Sequence, residues 1–297
     1  MHTLQFSIFN FQFSIFNSLR LAAVALLCIV AVGCSDGIET PYGQRAAPGA
    51  GSSVNGTAVL AEMFEQAGHQ VASRAMLTPR VREKADCIVW FPDSFGAPSP
   101  DVCEWMEDWL YEQPGRTLVY VGRDFDAAGF YWEKVVPDAP PEQQKEVRRR
   151  LTKAQADFQT ARGRIPGSTE CDFFTVDGKY RPRKVRSLSG EPRWLEDVDP
   201  SKLEIELGGR FIPSDFADVL LESEGDALVT QEWWDEGQVI VVTNGSFLLN
   251  LPLVNHEHRK LAGQLIEDVG PPGQNVVFLE SRWGGPPIFE EAPTLKL

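Results

Sequence analysis

The stretch RTLVYVGRDFDA, residues 116–127, decides the fold of this chain. After its arginine, the first half is apolar without polar alternation, which is typical of a strand buried on both faces of a sheet. Gly122 ends this predicted strand, and Arg123, Asp124 and Asp126 follow directly. Ligands of open α/β sheets bind beyond the carboxyl ends of the strands, so these charged residues are candidates for a ligand site. Because Arg123 and Asp124 are neighbours, their side chains diverge and need not pair.

Similar strands recur along the chain and alternate with helices. Further strands are predicted at residues 70–75, 86–91 (DCIVWF), 238–242 (QVIVV) and 275–279 (NVVFL), and helices at 55–68, 100–111, 143–160 and 258–269. Strands of this type, separated by helices, predict an α/β fold with a parallel sheet that is covered on both faces. A hairpin is predicted at residues 171–184, around Asp177 and Gly178.

Polar side chains follow four of the predicted strands. The candidates for ligand binding at these strand ends are Asp93, Arg123, Asp124, Asp126, Asn244, Ser246, Glu280 and Arg282. The turn SVNGT, residues 53–57, adds Asn55 to the candidates. This turn opens the first predicted helix, whose free N–H groups could hold an anion.

A structural interpretation stands beside several of these candidates. Asp93 and Asp126 fit caps of turns or helices. Asn55 fits a cap of the first helix, and Ser246 fits the N-cap of a segment at residues 247–251. The sequence leaves both interpretations open for each residue.

No complete catalytic motif occurs in the chain. A nucleophile elbow needs Gly-x-Ser-x-Gly, or its cysteine equivalent, but Arg123 stands at that position and Ser246 lacks the flanking glycines. Cys87 lies inside a predicted strand, where a core role is expected. His256 and His258 are two residues apart and would not share a helical face. We therefore expect no catalytic residue, no metal site and no cofactor, and the sequence favours a protein that is not an enzyme.

The N-terminus predicts a secretion signal that ends at a lipid attachment site. Residues 21–33 are apolar and follow Arg20, and as a helix they fall short of the roughly 30 Å hydrocarbon core of a bilayer. The segment AVGC, residues 31–34, resembles a bacterial lipobox, so Cys34 is the predicted site of acylation and of membrane attachment. The alternative is an uncleaved N-terminal helix. A tandem seven-residue repeat at residues 4–17 favours a translation start near the end of that repeat.

These signals predict how the chain is organised. Residues 1–33 would be the signal, of which 1–17 would be a mis-assigned start, and residues 34–52 would be a lipid-anchored tether. The α/β domain would consist of two parts, 53–136 and 203–285. A basic α+β insertion at 137–202 would separate these parts, and 286–297 would be a tail. Residues 140–193 contain 13 Lys or Arg and 7 Asp or Glu, within a chain of formal net charge −14. This basic region either docks on the acidic body or offers a face to a phosphate, an anionic headgroup or an acidic partner. The overall acidity argues against nucleic-acid binding.

Three cysteines remain if Cys28 leaves with the signal and Cys34 carries the lipid. They are Cys87, Cys103 and Cys171, an odd set without a CxxC motif. One disulfide could form outside the cytoplasm, and the sequence does not select the pair.

Five segments together resemble a known family. The segments follow the order seen in the bacterial domain of unknown function 4350. They are SVNGTAVLAEMFEQAGHQV, ADCIVWFPD, RTLVYVGRDFDA, GQVIVVTNGSFLLN and NVVFLESRWGG. The resemblance covers residues 52–136 and 214–285 and leaves the basic insertion unmatched. It implies a flavodoxin-like three-layer parallel sheet, similar to class I glutamine amidotransferase-like and gliding-motility accessory domains, without the amidotransferase Cys-His pair. Members are often tied to the envelope by a transmembrane helix, which a lipid would replace here.

The leading hypothesis is a lipid-anchored, non-catalytic module at the bacterial cell envelope, facing the periplasm or the exterior, that binds a protein partner or a small ligand. The alternative is an envelope hydrolase that acts on glycans or peptides through two strand-end carboxylates, drawn from Asp93, Asp124, Asp126 and Glu280. A third hypothesis is sensing of a sugar or nucleotide, with residues 53–57 holding its anion.

Overall fold

The computed structural model describes residues 38–45, 50–163, 168–178, 182–280 and 284–290. The predicted signal, Cys34 and Arg282 lie outside these residues. From Glu39 onward, the described residues belong to one compact unit. Within the described ranges, no helix combines the length and the apolar character needed to cross a bilayer.

The chain alternates strands and helices and carries an additional group of short strands in its middle. The strands are β1 Gln70–Arg74, β2 Cys87–Trp90, β3 Thr117–Val121, β4 Ser168–Cys171, β5 Phe174–Asp177, β6 Arg183–Lys184, β7 Ser189–Gly190, β8 Glu206–Leu207, β9 Arg210–Pro213, β10 Asp218–Ser223, β11 Asp226–Trp234, β12 Gly237–Val242 and β13 Asn275–Leu279. The α-helices are α1 Ala58–Gln66, α2 Pro79–Lys84, α3 Pro100–Glu112, α4 Ala127–Val135, α5 Gln144–Arg162, α6 Pro192–Leu195 and α7 His256–Val269. Short 3-10 turns occupy Ala50–Ser52, Pro200–Lys202 and Pro252–Val254.

One eight-stranded sheet forms the centre of the fold, in the order β1-β13-β2-β3-β12-β11-β10-β7. The first five strands in this order are mutually parallel, as the unalternated apolar runs predict. Strand β3, from the stretch at 116–127, lies between β2 and β12, with Val119 opposite Val89 and Ile240. The prediction of a mixed α/β fold around a largely parallel sheet is confirmed.

The last three strands extend this sheet in antiparallel fashion, which the sequence analysis did not predict. Strands β10 and β11 form a hairpin whose turn holds Glu224 and Gly225, both at positive φ. Strand β12 then pairs antiparallel with β11 and parallel with β3. The turn pair Glu224-Gly225 between two apolar runs was the available sequence signal for this hairpin.

Side chains of the parallel strands alternate between two apolar layers. Cys87 and Val89 face a core that includes buried residues of α1 and α7, whereas Ile88 and Trp90 face a core that includes buried residues of α2 and α3. The connections from β1 to β2 and from β2 to β3 run one way along the sheet, and the connection from β12 to β13 runs back. Because such crossovers are right-handed, α7 lies on the opposite face from α2 and α3. The result is a three-layer arrangement.

The predicted basic insertion contributes to both the central sheet and its surroundings. Its strand β7 pairs at the edge of the central sheet, and Trp194 of α6 is fully buried in the core beneath α7. Strands β4, β5 and β9 form a separate sheet on the α3 side, where Phe174 stacks on Phe211 with ring centroids 4.5 Å apart. The predicted hairpin is shifted, since the chain turns between Cys171 and Phe174 rather than at Asp177 and Gly178.

Candidate functional site

Arg123 is the centre of the carboxyl edge of the parallel sheet. It is 8% exposed, and its Nε donates to Asp93 Oδ1 at 3.0 Å while its Nη2 donates to Asp126 Oδ2 at 3.1 Å. Its Nη1 donates to the Phe125 carbonyl at 2.5 Å. One guanidinium therefore joins the polar groups that follow β2 and β3, and Asp124 points elsewhere, as expected for a sequence neighbour.

Three aromatic rings surround this guanidinium. Its Cζ atom lies 3.7 Å from the ring centroid of Tyr42, 5.0 Å from that of Phe95 and 5.7 Å from that of Phe158. Burial alone would lower the pKa of Arg123, but the nearby carboxylates of Asp126 and Asp93 raise it, so the charge is retained. Burial in turn raises the pKa of Tyr42 above its usual range, which keeps the phenol neutral.

Asp126 and Asn55 connect two helix N-termini. Asp126 is the N-cap of α4, because its Oδ1 accepts from the Ala128 N–H at 2.9 Å, and the same oxygen accepts from Asn55 Nδ2 at 3.0 Å. Asn55 Oδ1 accepts from the Ala127 N–H at 2.7 Å. Asn55 therefore serves the first turn of α4, whereas the N-cap of α1 is Thr57, which makes no side-chain capping bond. The helix cap that the sequence suggested for Asn55 is thus made to a different helix.

Residues 39–45 cover the strand ends beside Arg123. The Gly43 N–H donates to the Asn55 carbonyl at 3.0 Å, and the Arg45 N–H donates to Glu280 Oε1 at 2.9 Å. Gly43 has φ +63°, and a Cβ there would lie 2.6 Å from the Phe91 carbonyl oxygen, so the close approach requires glycine. This part of the predicted tether is packed on the sheet, and it occupies the space beyond β2 and β13.

Asn244 and Ser246 stabilise the loop after β12. Asn244 Nδ2 donates to the Glu206 carbonyl at 2.6 Å, and its Oδ1 accepts from the Ser246 N–H at 2.9 Å. The predicted capping role of Ser246 is not observed: its buried Oγ has no hydrogen-bond partner among the residues that the structure describes. Asn244 thereby connects the end of β12 to β8, and its backbone pairs with that of Arg123 in an isolated antiparallel β-bridge.

Asp124 lies on the far side of this edge, where it pairs with a helix of the insertion. Arg162, at the end of α5, donates from Nε to Asp124 Oδ1 at 2.6 Å, and its Nη2 donates to the Gly208 and Gly178 carbonyls. Asp124 Oδ2 faces the glycine pair at 208 and 209, where a Cβ would lie 2.7 or 2.9 Å away. Within the described part of the chain this oxygen has no hydrogen-bond partner. Burial raises the pKa of Asp124, although Arg162 opposes that shift.

A cavity of about 340 Å³ opens beside Asp124. Its walls are α4, α5 and the short strands β6 and β8, and its apolar lining comes from Phe125, Phe130, Phe158 and Leu207. The charged side chains that line it are Asp124, Asp126, Glu133, Arg162, Arg183, Lys184 and Glu206.

The cations of this cavity are already paired with carboxylates of the chain. Arg183 contacts Asp226 at 2.6 Å, and Lys184 contacts Glu206 at 3.1 Å, in addition to the pair formed by Arg162. The lining therefore has no excess of positive charge, and it favours a neutral ligand over a phosphate or a nucleotide. Of the predicted ligand-binding residues that the structure describes, Asp124 and Asp126 line this cavity and the others do not.

The strand-end carboxylates all accept hydrogen bonds from the chain. Asp93 and Asp126 share one buried guanidinium, Asp124 accepts from Arg162, and Glu280 accepts from a backbone N–H. Each is thus held by a donor of the chain itself, and nothing in this geometry favours the hydrolase hypothesis. In the described ranges, no group of three or more His, Cys, Asp or Glu side chains could hold a metal ion.

Sequence reasoning missed several contributors to this region. Tyr42 and Phe158 close the Arg123 network, while Arg162 and the glycine pair at 208 and 209 hold Asp124. The adjacent glycines were the available signal, because they mark a close backbone approach. The other three come from distant segments and leave no local pattern.

Comparisons with known proteins define the family of the chain. The family described as Domain of unknown function (DUF4350) matches residues 51–266. Among solved structures, the cytoplasmic protein STM1381 from Salmonella typhimurium LT2 is similar with 16% identity and a TM-score of 0.37, over 72% of this chain and 87% of that one. The cytoplasmic protein STM3548 from Salmonella typhimurium is similar with 12% identity and a TM-score of 0.38, over the same shares. The curated proteins give no match. Because the matched residues make up most of its length, the chain belongs to the DUF4350 family.

Proposed function

We propose that this chain is a lipid-anchored envelope protein whose α/β domain binds a small neutral ligand, such as a sugar, without converting it chemically. The cavity beside Asp124 carries this proposal. Its volume of about 340 Å³ falls within the range of small-molecule sites, and its lining combines aromatic walls with a few polar groups. A buried carboxyl of raised pKa at such a cavity is a common sign of a binding site.

The competing location for a ligand is already filled. The sheet order β1-β13-β2-β3-β12 becomes the flavodoxin order 2-1-3-4-5 if β13 is counted as the first strand, which supports a circularly permuted flavodoxin-like sheet. The ligand crevice of that fold lies beyond the strands that correspond to β13 and β2. In this chain residues 39–45 occupy that crevice, where they contact Phe91 and Glu280. The cavity next to β3 is open.

The ligand test is titration of the full-length chain, purified in detergent, with neutral mono- and disaccharides and with sugar phosphates, followed by calorimetry. Ala154 of α5 lines the cavity, so Ala154→Leu should abolish binding. Ala156 is exposed on the same helix and does not line the cavity, so Ala156→Leu is the matched control and should bind like the wild type. Binding of sugar phosphates alone would contradict the neutral ligand class, and release of a product would contradict a non-catalytic role.

The lipid anchor rests on the AVGC segment at residues 31–34. Growth of the expressing bacterium with an alkyne-labelled fatty acid should label the protein, and Cys34→Ala should remove both the label and the membrane association. A wild-type chain that stays unlabelled in the presence of a labelled control lipoprotein would contradict the anchor. Binding of a protein partner remains a prediction that co-purification of the membrane-borne protein would test.

A further inference from the structure

Strand β1 forms an open edge of the central sheet. It stands first in the strand order, and among the described residues it pairs with β13 alone. Gln70 and Arg74 make backbone hydrogen bonds on the β13 side. Because the backbone groups of successive residues point to opposite sides of a strand, Val71 and Ser73 direct their N–H and C=O groups to the free side. In the described part of the chain, only the Ser73 carbonyl among these groups has a partner, Nη1 of Arg74 at 2.7 Å.

A groove of about 310 Å³ lies beside this edge, between β1, β13 and α2. The apolar part of its lining comes from Val71, Ala72, Val81, Val276 and Val277. Its charged residues are Arg74, Arg80 and Lys84, and no carboxylate is found among the described residues that line it. The groove therefore combines unpaired strand backbone, an apolar floor and positive charge.

The positive charge of this groove is largely uncompensated. Arg80 is exposed and makes no ion pair within the described ranges, and exposed Lys84 contacts Glu83 at 3.4 Å. Arg74 donates to a backbone carbonyl rather than to a carboxylate. The cations of the cavity beside Asp124, by contrast, are paired with carboxylates. In a chain of formal net charge −14, a groove lined by three cations and no acid favours an acidic partner.

We propose that this edge binds an acidic, extended segment of a partner protein, which adds to the central sheet as a further strand beside β1. The free backbone groups of Val71 and Ser73 would supply the hydrogen bonds, and the groove would supply the preference for acidic side chains. This interaction surface is separate from the cavity beside Asp124 and does not depend on the function proposed for it.

The spacing of the cations indicates which acidic segment fits. Alternate residues of an extended strand direct their side chains to the same face and are about 7 Å apart. Arg80 and Lys84 are four residues apart on α2, so they share a helix face and are separated by about 6 Å along the axis. Carboxylates at alternate positions of the segment therefore match these two cations on the α2 side of the sheet.

Two other occupants of the edge fit it less well. A second copy that paired its own β1 with this one would bring two cationic grooves together, and juxtaposed like charges oppose such a pairing. Residues 291–297, EAPTLKL, lie outside the described residues and contain one acidic and one basic residue. This composition lacks the alternate carboxylates that the groove selects.

The binding test uses the full-length chain in a neutral detergent and a fluorescent peptide of alternating glutamate and valine, with anisotropy as the readout. Arg80→Ala/Lys84→Ala should weaken binding about five- to tenfold, because two exposed ion pairs are lost. Lys145→Ala/Arg148→Ala is the control, since these exposed cations of α5 do not line the groove, and it should bind like the wild type. The same peptide with methylated backbone nitrogens keeps its charge but loses its N–H donors, so it should not bind. Equal binding of the methylated peptide, or of a peptide with lysine in place of glutamate, would overturn the proposal.

Hydrogen exchange, measured by mass spectrometry with residue resolution, tests the location. In the free chain the Val71 and Ser73 amides should exchange faster than the Ala72 amide, which faces β13, and the glutamate–valine peptide should slow both of them. Binding that leaves these two amides unchanged would overturn strand addition at β1. Protection in the free chain that grows with protein concentration would assign the edge to a second copy. Protection that disappears on deletion of residues 291–297 would assign it to the chain itself, and either result would overturn the proposed partner.

Discussion

The aromatic ring of Tyr42 lies against the guanidinium of Arg123, with 3.7 Å between the ring centroid and the Cζ atom. The two residues are 81 positions apart in sequence, and the Tyr42 hydroxyl also donates to the Gly122 carbonyl at 3.3 Å. A cation over an aromatic face is attracted by the ring quadrupole, most strongly where water is excluded. Tyr42 is therefore part of the domain core at the strand ends.

Truncation of Tyr42 should open this network to water. Tyr42→Ala removes a buried ring, so we expect the free energy of unfolding to fall by about 3 kcal/mol. Tyr42→Phe keeps the ring over Arg123 and loses only the hydroxyl bond, so a fall of about 1 kcal/mol is expected. Urea unfolding of the full-length protein, monitored by tryptophan fluorescence, measures both values. Equal losses for the two variants would show that the ring contact contributes nothing.

The strands and the strand-end network were not equally predictable. The runs at 86–91, 116–121 and 275–279 are apolar without alternation, and a doubly covered parallel strand is the structure that satisfies such a run. Local pattern also placed Asp93, Arg123 and Asp126 at one edge. It could not name Tyr42 as the covering residue, because that contact depends on the path of a segment far away in sequence.

Asn55 illustrates the same limit at a single residue. The sequence correctly marked it as a polar residue at the start of a helix, but the helix whose N–H it binds is α4 and not α1. Which of two helix ends receives a side chain depends on how the layers pack. Arg162 shows this again, because it pairs with Asp124 across 38 residues of chain. Such pairs are determined by the tertiary fold, and no spacing rule predicts them.

The carboxyl of Glu107 should make stability depend on pH. Burial, followed by the proximity of Asp172, raises the pKa of Glu107 from 4.5 to about 7. The folded state then binds a proton that the unfolded state releases, so this contribution is present at low pH and is lost as pH rises from 4.5 through 7. Glu107→Gln should remove the decline, whereas Glu104→Gln, at an exposed position of the same helix, should retain it. Urea unfolding at a series of pH values measures the slope, and an unchanged slope in Glu107→Gln would contradict the assignment.

The imidazole of His258 should make stability depend on pH in the direction opposite to that of Glu107. Its Nδ1 donates to the Pro252 carbonyl and its Nε2 accepts from the Glu204 N–H, both at 3.0 Å, so the ring is held neutral. Burial lowers the pKa of His258 from 6.5 to about 4. The unfolded state binds the proton more readily, so stability is present above pH 6.5 and is lost as pH falls through 4.

Variants of His258 and of a nearby exposed histidine test this assignment. His258→Gln should be less stable at neutral pH and should lose less stability between pH 6.5 and 4. His256→Gln, at an exposed position two residues earlier, should behave like the wild type. Nuclear magnetic resonance titration of the His258 ring gives the pKa directly, and a value near 6.5 would contradict the buried neutral state.

Gly122, which follows the strand that decides the fold, should tolerate no side chain. Its φ is not in the left-handed region; the constraint is space, because a Cβ would overlap the Thr243 carbonyl oxygen and would lie 2.5 Å from Cζ of Phe211. The Thr243 oxygen belongs to the backbone beside β12 and cannot move without disturbing the sheet, so Gly122→Ala should cost roughly 2 to 3 kcal/mol of unfolding free energy.

Gly263 of α7 is the matched control, since a Cβ there meets no atom within 4 Å. Gly263→Ala should raise stability by about 0.5–1 kcal/mol, because alanine restricts the unfolded chain and favours the helix. Chemical unfolding of the two variants distinguishes a glycine required by packing from one that the helix merely tolerates, and equal effects of the two substitutions would contradict this distinction.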